Sequence, residues 1–466
     1  MTKLTRTLGL TQSTAINMID MVGIGPFVTI PFVIGAMNGP ACIIAWMLGA
    51  LLSYCDGMVW SELGAKWPEA GGSYQFLKRL FGEKRGKLFS FLYIWQTVIQ
   101  APLVIASGAI GFAQYFSYLI PLESWQQKIV SGSLVILLTF MLYRKIADVG
   151  KISVGLWIGV LLTLVWLIYA GLTHFDAAQA FDFSSSPAWF SSLFFAGLGQ
   201  ATIKTMYSYL GYYNVCHIGA EIKDPEKNIP RSIMISITGI AVIYLLMQIV
   251  VLGVIPWREA KESPFIVSTF FERIYGHTSA IIATGLILWI ALASLFAVML
   301  GYSRVPYAAA VDGNFFRVFA KIHPTKNFPH VSLLILAATA FVFSLLFKLK
   351  EVITSIIVMR ILIQFVSQAV GVILLHYTSS NRKAPYDTTT DGLNRPAPST
   401  TTVNGLNHLN GHLPYQMILF PLPVILAIIV WMFIFFSSGL PYILGALGVI
   451  ASGIVVHYFF KNNVGG

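Results

Sequence analysis

Charge is what this sequence most lacks: Asp, Glu, Lys and Arg make up 11% of 466 residues, against 56% hydrophobic and 14% aromatic. Soluble domains carry about a quarter charged residues, so the shortage excludes an ordinary water-facing surface. Cysteine is also scarce. Cys42, Cys55 and Cys216 lie in or beside apolar runs, without metal-ligand spacing or a disulfide framework, and read as small packing residues. No Walker-type loop, H-E-x-x-H helix, pair of catalytic carboxylates or G-x-S-x-G elbow occurs, which argues against an enzyme. No cofactor or metal is expected.

What is present is apolar length. With a mean hydropathy of +0.74, the chain has more apolar surface than a soluble core could bury, so lipid must solvate it. About twelve runs approach the ~20 helical residues that cross a bilayer. They fall at roughly 13–36, 40–63, 87–119, 126–143, 152–173, 195–222, 232–255, 279–301, 330–347, 351–376, 415–437 and 440–460. The runs are continuous in Leu, Ile, Val and Phe rather than alternating, which predicts helices and not barrel strands. Asn17, Asp20 and Pro26 interrupt the first run, and no small-residue cleavage site follows it, so it reads as a span and not a signal peptide.

A net charge of +11 raises nucleic acid as a partner, but the placement of the charge argues otherwise. With the N-terminus in the cytoplasm, about 22 Lys and Arg fall inside and about 6 outside, the asymmetry of the positive-inside rule. Lys78, Arg79, Lys84, Arg85 and Lys87 share that side with Arg144, Lys145 and Lys151. The expectation is a multi-pass protein of the cell membrane, both termini cytoplasmic, surrounded by lipid and without a nucleic-acid partner. Three regions follow: a core over 1–376, a flexible cytoplasmic loop over 377–414, and two further spans with a tail over 415–466. The loop is expected from the Ser, Thr, Asn, Gly and Pro of 378–412, which cannot pack a core.

Two spans carry the signal of a break. In the first, Gly23, Gly25 and Pro26 sit at the centre, so a helix should stop near Met21 and restart at Pro26. In the sixth, Ser208, Gly211 and Asn214 lie among aromatics. Non-helical backbone at membrane depth is tolerated where it lines a cavity or is buried in protein. Two interrupted helices five spans apart point to a midplane substrate site between repeated halves. A half-helix starting at Pro26 offers free N–H groups to an anion, and one ending near Met21 offers carbonyls to a cation. A zwitterion fits between them.

The first break and motifs after the second, sixth and eighth spans then carry a resemblance. Gly23-Ile24-Gly25-Pro26-Phe27-Val28, the Trp67-to-Tyr74 run WPEAGGSY, the Glu221-to-Arg231 run EIKDPEKNIPR, and Ser303-Arg304-Val305-Pro306-Tyr307-Ala308 with Asp312-Gly313 resemble the amino acid–polyamine–organocation transporters over about residues 7–376. The resemblance implies an all-α, leucine-transporter-like core of ten helices in two inverted five-helix repeats, with two C-terminal helices added. It implies a secondary transporter that moves amino acids by alternating access. The substrate carboxylate would lie on the amides of Ile24 and Gly25 beside Gly23, and the ammonium on the carbonyls of Tyr207 and Ser208 with Met21. Gly211 would open the second break, and an aromatic gate would fall at Tyr209 or Tyr212. Gly-Ile-Gly-Pro replaces the family's usual Gly-Ser-Gly-Ile, removing a hydroxyl and one backbone donor. Val160 stands where many relatives carry a Lys, so the resemblance leaves the coupling ion open between proton and sodium.

Charges within the spans cost roughly 2.5–3.5 kcal/mol each on insertion scales, so each needs a partner or a role. Asp20 has three readings: it binds a cationic group, carries a coupling proton, or pairs with Lys204 or Arg360. The leading function is amino-acid transport. The alternatives are transport of a polyamine or other organic cation, which could use Asp20 alone, and a non-transporting sensor of the same fold.

Overall fold

The computed structural model describes residues 5–144, 146–185, 188–347, 349–381 and 415–464; the proposed loop at 378–412 lies almost wholly outside them. The architecture is all-α, with no strand among the described residues. Helices α1 (Leu10–Met21) and α2 (Gly25–Met37) lead into α3 (Cys42–Lys66), α4 (Ser73–Leu80), α5 (Gly82–Leu119), α6 (Ser124–Leu142) and α7 (Ile146–Thr173). After a short α8 (Ala177–Ala180) come α9 (Ser192–Tyr209), α10 (Asn214–His217), α11 (Pro225–Val254), α12 (Trp257–Ala260) and α13 (Ile266–Tyr275). The rest comprises α14 (His277–Tyr302), α15 (Arg304–Val311), α16 (His330–Leu346), α17 (Leu349–Arg360), α18 (Ser367–Asn381), α19 (Leu422–Ser437) and α20 (Leu440–Val464).

Among the described residues, eight helices are long and apolar enough to cross a membrane, and α1 with α2, bent by 44°, makes a ninth. The expected twelve are reached only by adding shorter pieces. These are α16, α19 and the broken α9, whose continuation α10 spans four residues. Phe140, Leu162, Val165, Leu444 and Phe459 point outward with more than half their surface open, as side chains solvated by acyl chains do. Buried polar residues lie instead on inward faces, Asp56, Gln100 and Arg360 among them.

The first break falls where Gly and Pro predict it. Helix α1 stops at Met21 and α2 restarts at Gly25, one residue before Pro26, which occupies the first turn where a missing N–H costs nothing. The second falls at residues 210–213, between Tyr209 and Asn214, with Gly211 at φ +129°. A Cβ on Gly211 would lie 2.7 Å from the Met21 nitrogen. Only glycine lets the two unwound segments touch there.

The family-like motifs that follow the second, sixth and eighth spans converge at one end of the bundle. Leu8 and Thr7 donate their amides to the Glu221 carbonyl at 3.1 and 2.9 Å, and the Gly71 amide donates to the His217 carbonyl at 2.9 Å. Arg304 Nε meets Glu221 Oε1 at 3.0 Å, a buried ion pair, and Lys78 reaches Asp312 at 2.8 Å. The C-terminal pair of helices is anchored to this core. Trp431 on α19 donates its indole N–H to Asp56 at 3.3 Å, and its ring stacks on Phe365 at 4.1 Å.

Candidate substrate site

Where the two breaks meet, a cavity opens, lined by Asp20, Met21, Gly23, Ile24 and Gly25 from the first and by Tyr207, Gly211 and Tyr213 from the second. The cavity is small, about 60 Å³, above the size that holds an ordered water. The side walls come from Val104 and Gly108 on α5, Ser294 and Leu295 on α14, and Ile356 and Arg360 on α17.

The anion-facing side is built from backbone. The Ile24 and Gly25 amides have no acceptor among the described residues, while the Gly23 amide is turned back onto the Met21 carbonyl at 3.1 Å. With α2 behind them, the two free N–H groups carry the positive end of a helix dipole. A Cβ on Gly25 would lie 3.3 Å from the Tyr207 ring, so the cleft is one side chain thick here. Tyr207 is fixed in turn by Ser107 Oγ, 2.9 Å from its hydroxyl.

The cation-facing side holds a residue that reading the sequence missed. Tyr244, in the middle of α11, shares its one hydroxyl proton between the Met21 carbonyl at 2.6 Å and the Ser208 carbonyl at 3.2 Å. One hydroxyl thus ties the C-terminal ends of both half-helices together. Tyr244 lies in a continuous apolar run, and nothing in its spacing marks it. A carbonyl oxygen has two lone pairs, so Ser208 keeps capacity for a second donor, while Met21 already accepts from both Tyr244 and the Gly23 amide.

The remaining candidates divide by position. Ser208 pairs its hydroxyl with Thr29 at 2.8 Å. Tyr209 packs against Trp46 and Tyr244, with ring centroids 5.8 and 5.2 Å away. Tyr212 turns away from the cavity to donate to Asp56 at 2.6 Å. It is Tyr213 that lines the cavity, stacked on Trp60 at 4.6 Å. Lys204 lines a separate cavity with Gln200 and Tyr442.

Asp20 and Arg360 face the same cavity without joining. Asp20 takes part in no ion pair among the described residues, and Arg360 is hydrogen-bonded to neutral groups instead, the Gln364 amide oxygen at 2.8 Å and the Tyr213 hydroxyl. The Arg360 guanidinium also lies 5.0 and 5.1 Å from the Tyr213 and Phe365 ring centroids, which spreads its charge over aromatic faces. A single π-helical turn, Ile361–Val366, follows it directly, a distortion frequent at functional sites. The cavity therefore presents a carboxylate, a guanidinium, two amides without an acceptor among the described residues and the partly filled Ser208 carbonyl, a set suited to a zwitterion. No cluster of metal-ligating side chains occurs among the described residues.

Comparison with known proteins gives the same class. The chain is 25% identical over 397 residues to cationic amino acid transporter 4 of Mus musculus, covering 82% of this chain; it spans only 61% of that relative and of its Homo sapiens counterpart. It is 24% identical over 390 residues to a serine/threonine exchanger of Bacillus subtilis (strain 168), covering 82% of this chain and 86% of that protein. To the aspartate-proton symporter of the same organism it is 22% identical over 375 residues, 76% of this chain and 70% of the symporter. These relatives are named as carriers and not as enzymes. A family match that runs over residues 8–457 decides the grouping: this multi-pass membrane protein belongs to the amino acid permease family.

Proposed function

We propose that this protein is a secondary transporter that moves small zwitterionic amino acids across the cell membrane by alternating access, with substrate held at the two chain breaks. The observation that carries this reading is the pair of unpartnered amides, Ile24 and Gly25, opening into one cavity with Asp20 and Arg360. The α-carboxylate sits at the start of α2, and the ammonium faces Asp20, the Tyr207 carbonyl, which has no donor among the described residues, and the second lone pair of Ser208. One fixed negative and one fixed positive group leave the cavity near neutral, which matches a substrate without net charge better than a polyamine. The narrow space favours a short side chain, in keeping with a relative named for serine and threonine.

Asp20 is the group available to carry a coupling proton, as the relative named as a proton symporter suggests. Both termini are placed in the cytoplasm, on the side of Lys78 to Lys87.

Uptake and counterflow in proteoliposomes, run with serine, alanine, arginine, aspartate and putrescine under imposed pH or sodium gradients, tests this. Accumulation or exchange of the small neutral amino acids is expected. A protein that binds them in a thermal-shift assay but never moves them would be a sensor, and transport of putrescine alone would overturn the carboxylate site.

A further inference from the structure

On the outer surface of the bundle, where Ile136 and Phe140 are more than half exposed, α6 and α16 pack side by side but leave a groove of about 860 Å³ between them. Its walls are apolar: Val135, Ile136 and Phe140 from α6, Leu334, Ala338 and Val342 from α16. One end carries two cations, Arg144 and Lys326. Arg144 is exposed just beyond the end of α6. Lys326 donates to the Tyr143 carbonyl at 2.8 Å, with its ammonium 4.5 Å from the Tyr143 ring. Neither forms an ion pair among the described residues, so both charges are available to an anion.

The direction of the groove identifies its occupant. The charged end belongs to the face that holds the family-like motifs, because the connection containing Lys326 is tied there by Asp312 to Lys78 and by Asn314 to the Lys87 carbonyl. The deep end is closed where Ser131 donates to the Ser344 carbonyl at 3.4 Å, and where Phe341 lies against Gly132, 2.7 Å from a Cβ built there. From Leu334 to Val342 the groove runs roughly 12 Å at 1.5 Å per residue, close to the ~15 Å of one leaflet in a ~30 Å hydrocarbon core. A slot one leaflet deep, apolar along its length and basic at the mouth, matches one acyl chain and one phosphate. A partner helix would need apolar contact continuing past the midplane, where this groove ends.

We propose that the groove between α6 and α16 is a binding site for an anionic phospholipid of the cytoplasmic leaflet, its phosphate held by Arg144 and Lys326 and one acyl chain lying along Phe140, Ala338 and Val342. Basic pockets between helices on the cytoplasmic side are the usual seats of such headgroups. The site is independent of the transport reading.

The test is native mass spectrometry and thermal shift on the full-length protein in detergent, titrated with dioleoylphosphatidylglycerol, dioleoylphosphatidylcholine or inorganic phosphate. Saturable binding and stabilisation by phosphatidylglycerol are expected, with neither from phosphatidylcholine. At about 1 kcal/mol, or about fivefold, per basic residue, Arg144→Gln with Lys326→Gln should weaken binding about 25-fold. Ala338→Trp, which fills the exposed groove, should abolish it with both cations kept. Lipid-free melting temperatures of the variants, equal to wild type, check that each folds. Equal shifts by the two lipids, unchanged binding in the double variant or in Ala338→Trp, or the full effect from phosphate alone would each overturn the proposal.

Discussion

Replacing Tyr244 by Phe removes one oxygen and leaves the ring, which stacks edge-on against Trp46 at 5.3 Å and near Tyr209 at 5.2 Å. The packing of α11 is therefore kept and the hydroxyl isolated. The one proton shared between two carbonyls disappears. The Met21 carbonyl still accepts from the Gly23 amide at 3.1 Å, but the Ser208 carbonyl loses its only donor among the described residues. A buried group left without a partner costs about 1–3 kcal/mol, and an ordinary lost bond about 0.5–1.5 kcal/mol. Hydrogen bonds inside membrane bundles average only about 0.6 kcal/mol, which pulls the sum toward the low end. Tyr244→Phe should thus destabilise the fold by about 2 kcal/mol. Equilibrium unfolding in mixed sodium dodecyl sulfate and mild-detergent micelles reads this directly. Because the hydroxyl also holds the two breaks in register, substrate affinity should fall about tenfold, equivalent to 1.4 kcal/mol. A Phe variant within about 0.5 kcal/mol of wild type, with unchanged affinity, would refute a role for this bridge, since even one orphaned carbonyl costs more.

Three further outcomes follow from the same geometry. Gly25→Leu drives a side chain into the Tyr207 ring, 3.3 Å from the Cβ position, and should abolish uptake while the protein still purifies as a monodisperse species; wild-type uptake would remove substrate from this cleft. Asp20→Asn breaks no ion pair, so it should melt within a few degrees of wild type yet lose the component of uptake driven by a pH gradient. Collapse of the fold would instead mark Asp20 as structural. Glu221→Gln strands the buried Arg304 guanidinium, 3.0 Å away, and should cost about 3–5 kcal/mol; adding Arg304→Gln should recover part of that, and the double variant separates stranded charge from lost packing.

Composition determined the solvent of this protein. A chain with so few charges must lie in lipid, and lipid forces backbone groups to be satisfied within helices, so the all-α character and the approximate positions of the spans were legible. The first break was legible for the same local reason, since Gly23, Gly25 and Pro26 act on their own backbone. The second was blurred, because Gly211 needs its left-handed φ only once α1 is packed against it, and sequence reading spread the break over Ser208 to Asn214. Side-chain direction was not legible at all. Tyr209, Tyr212 and Tyr213 are near neighbours on a broken helix, and the turn at 210–213 sends one toward Trp46, one to Asp56 and one into the cavity. The charges divided likewise. That Asp20 and Arg360 lie in spans could be read from the sequence, but their sharing of one cavity while staying unpaired depends on residues 340 positions apart, and so does nothing but tertiary packing decide it. Tyr244 is the limiting case. Its role requires two carbonyls from two breaks to arrive at one hydroxyl, and no periodicity along α11 records that meeting.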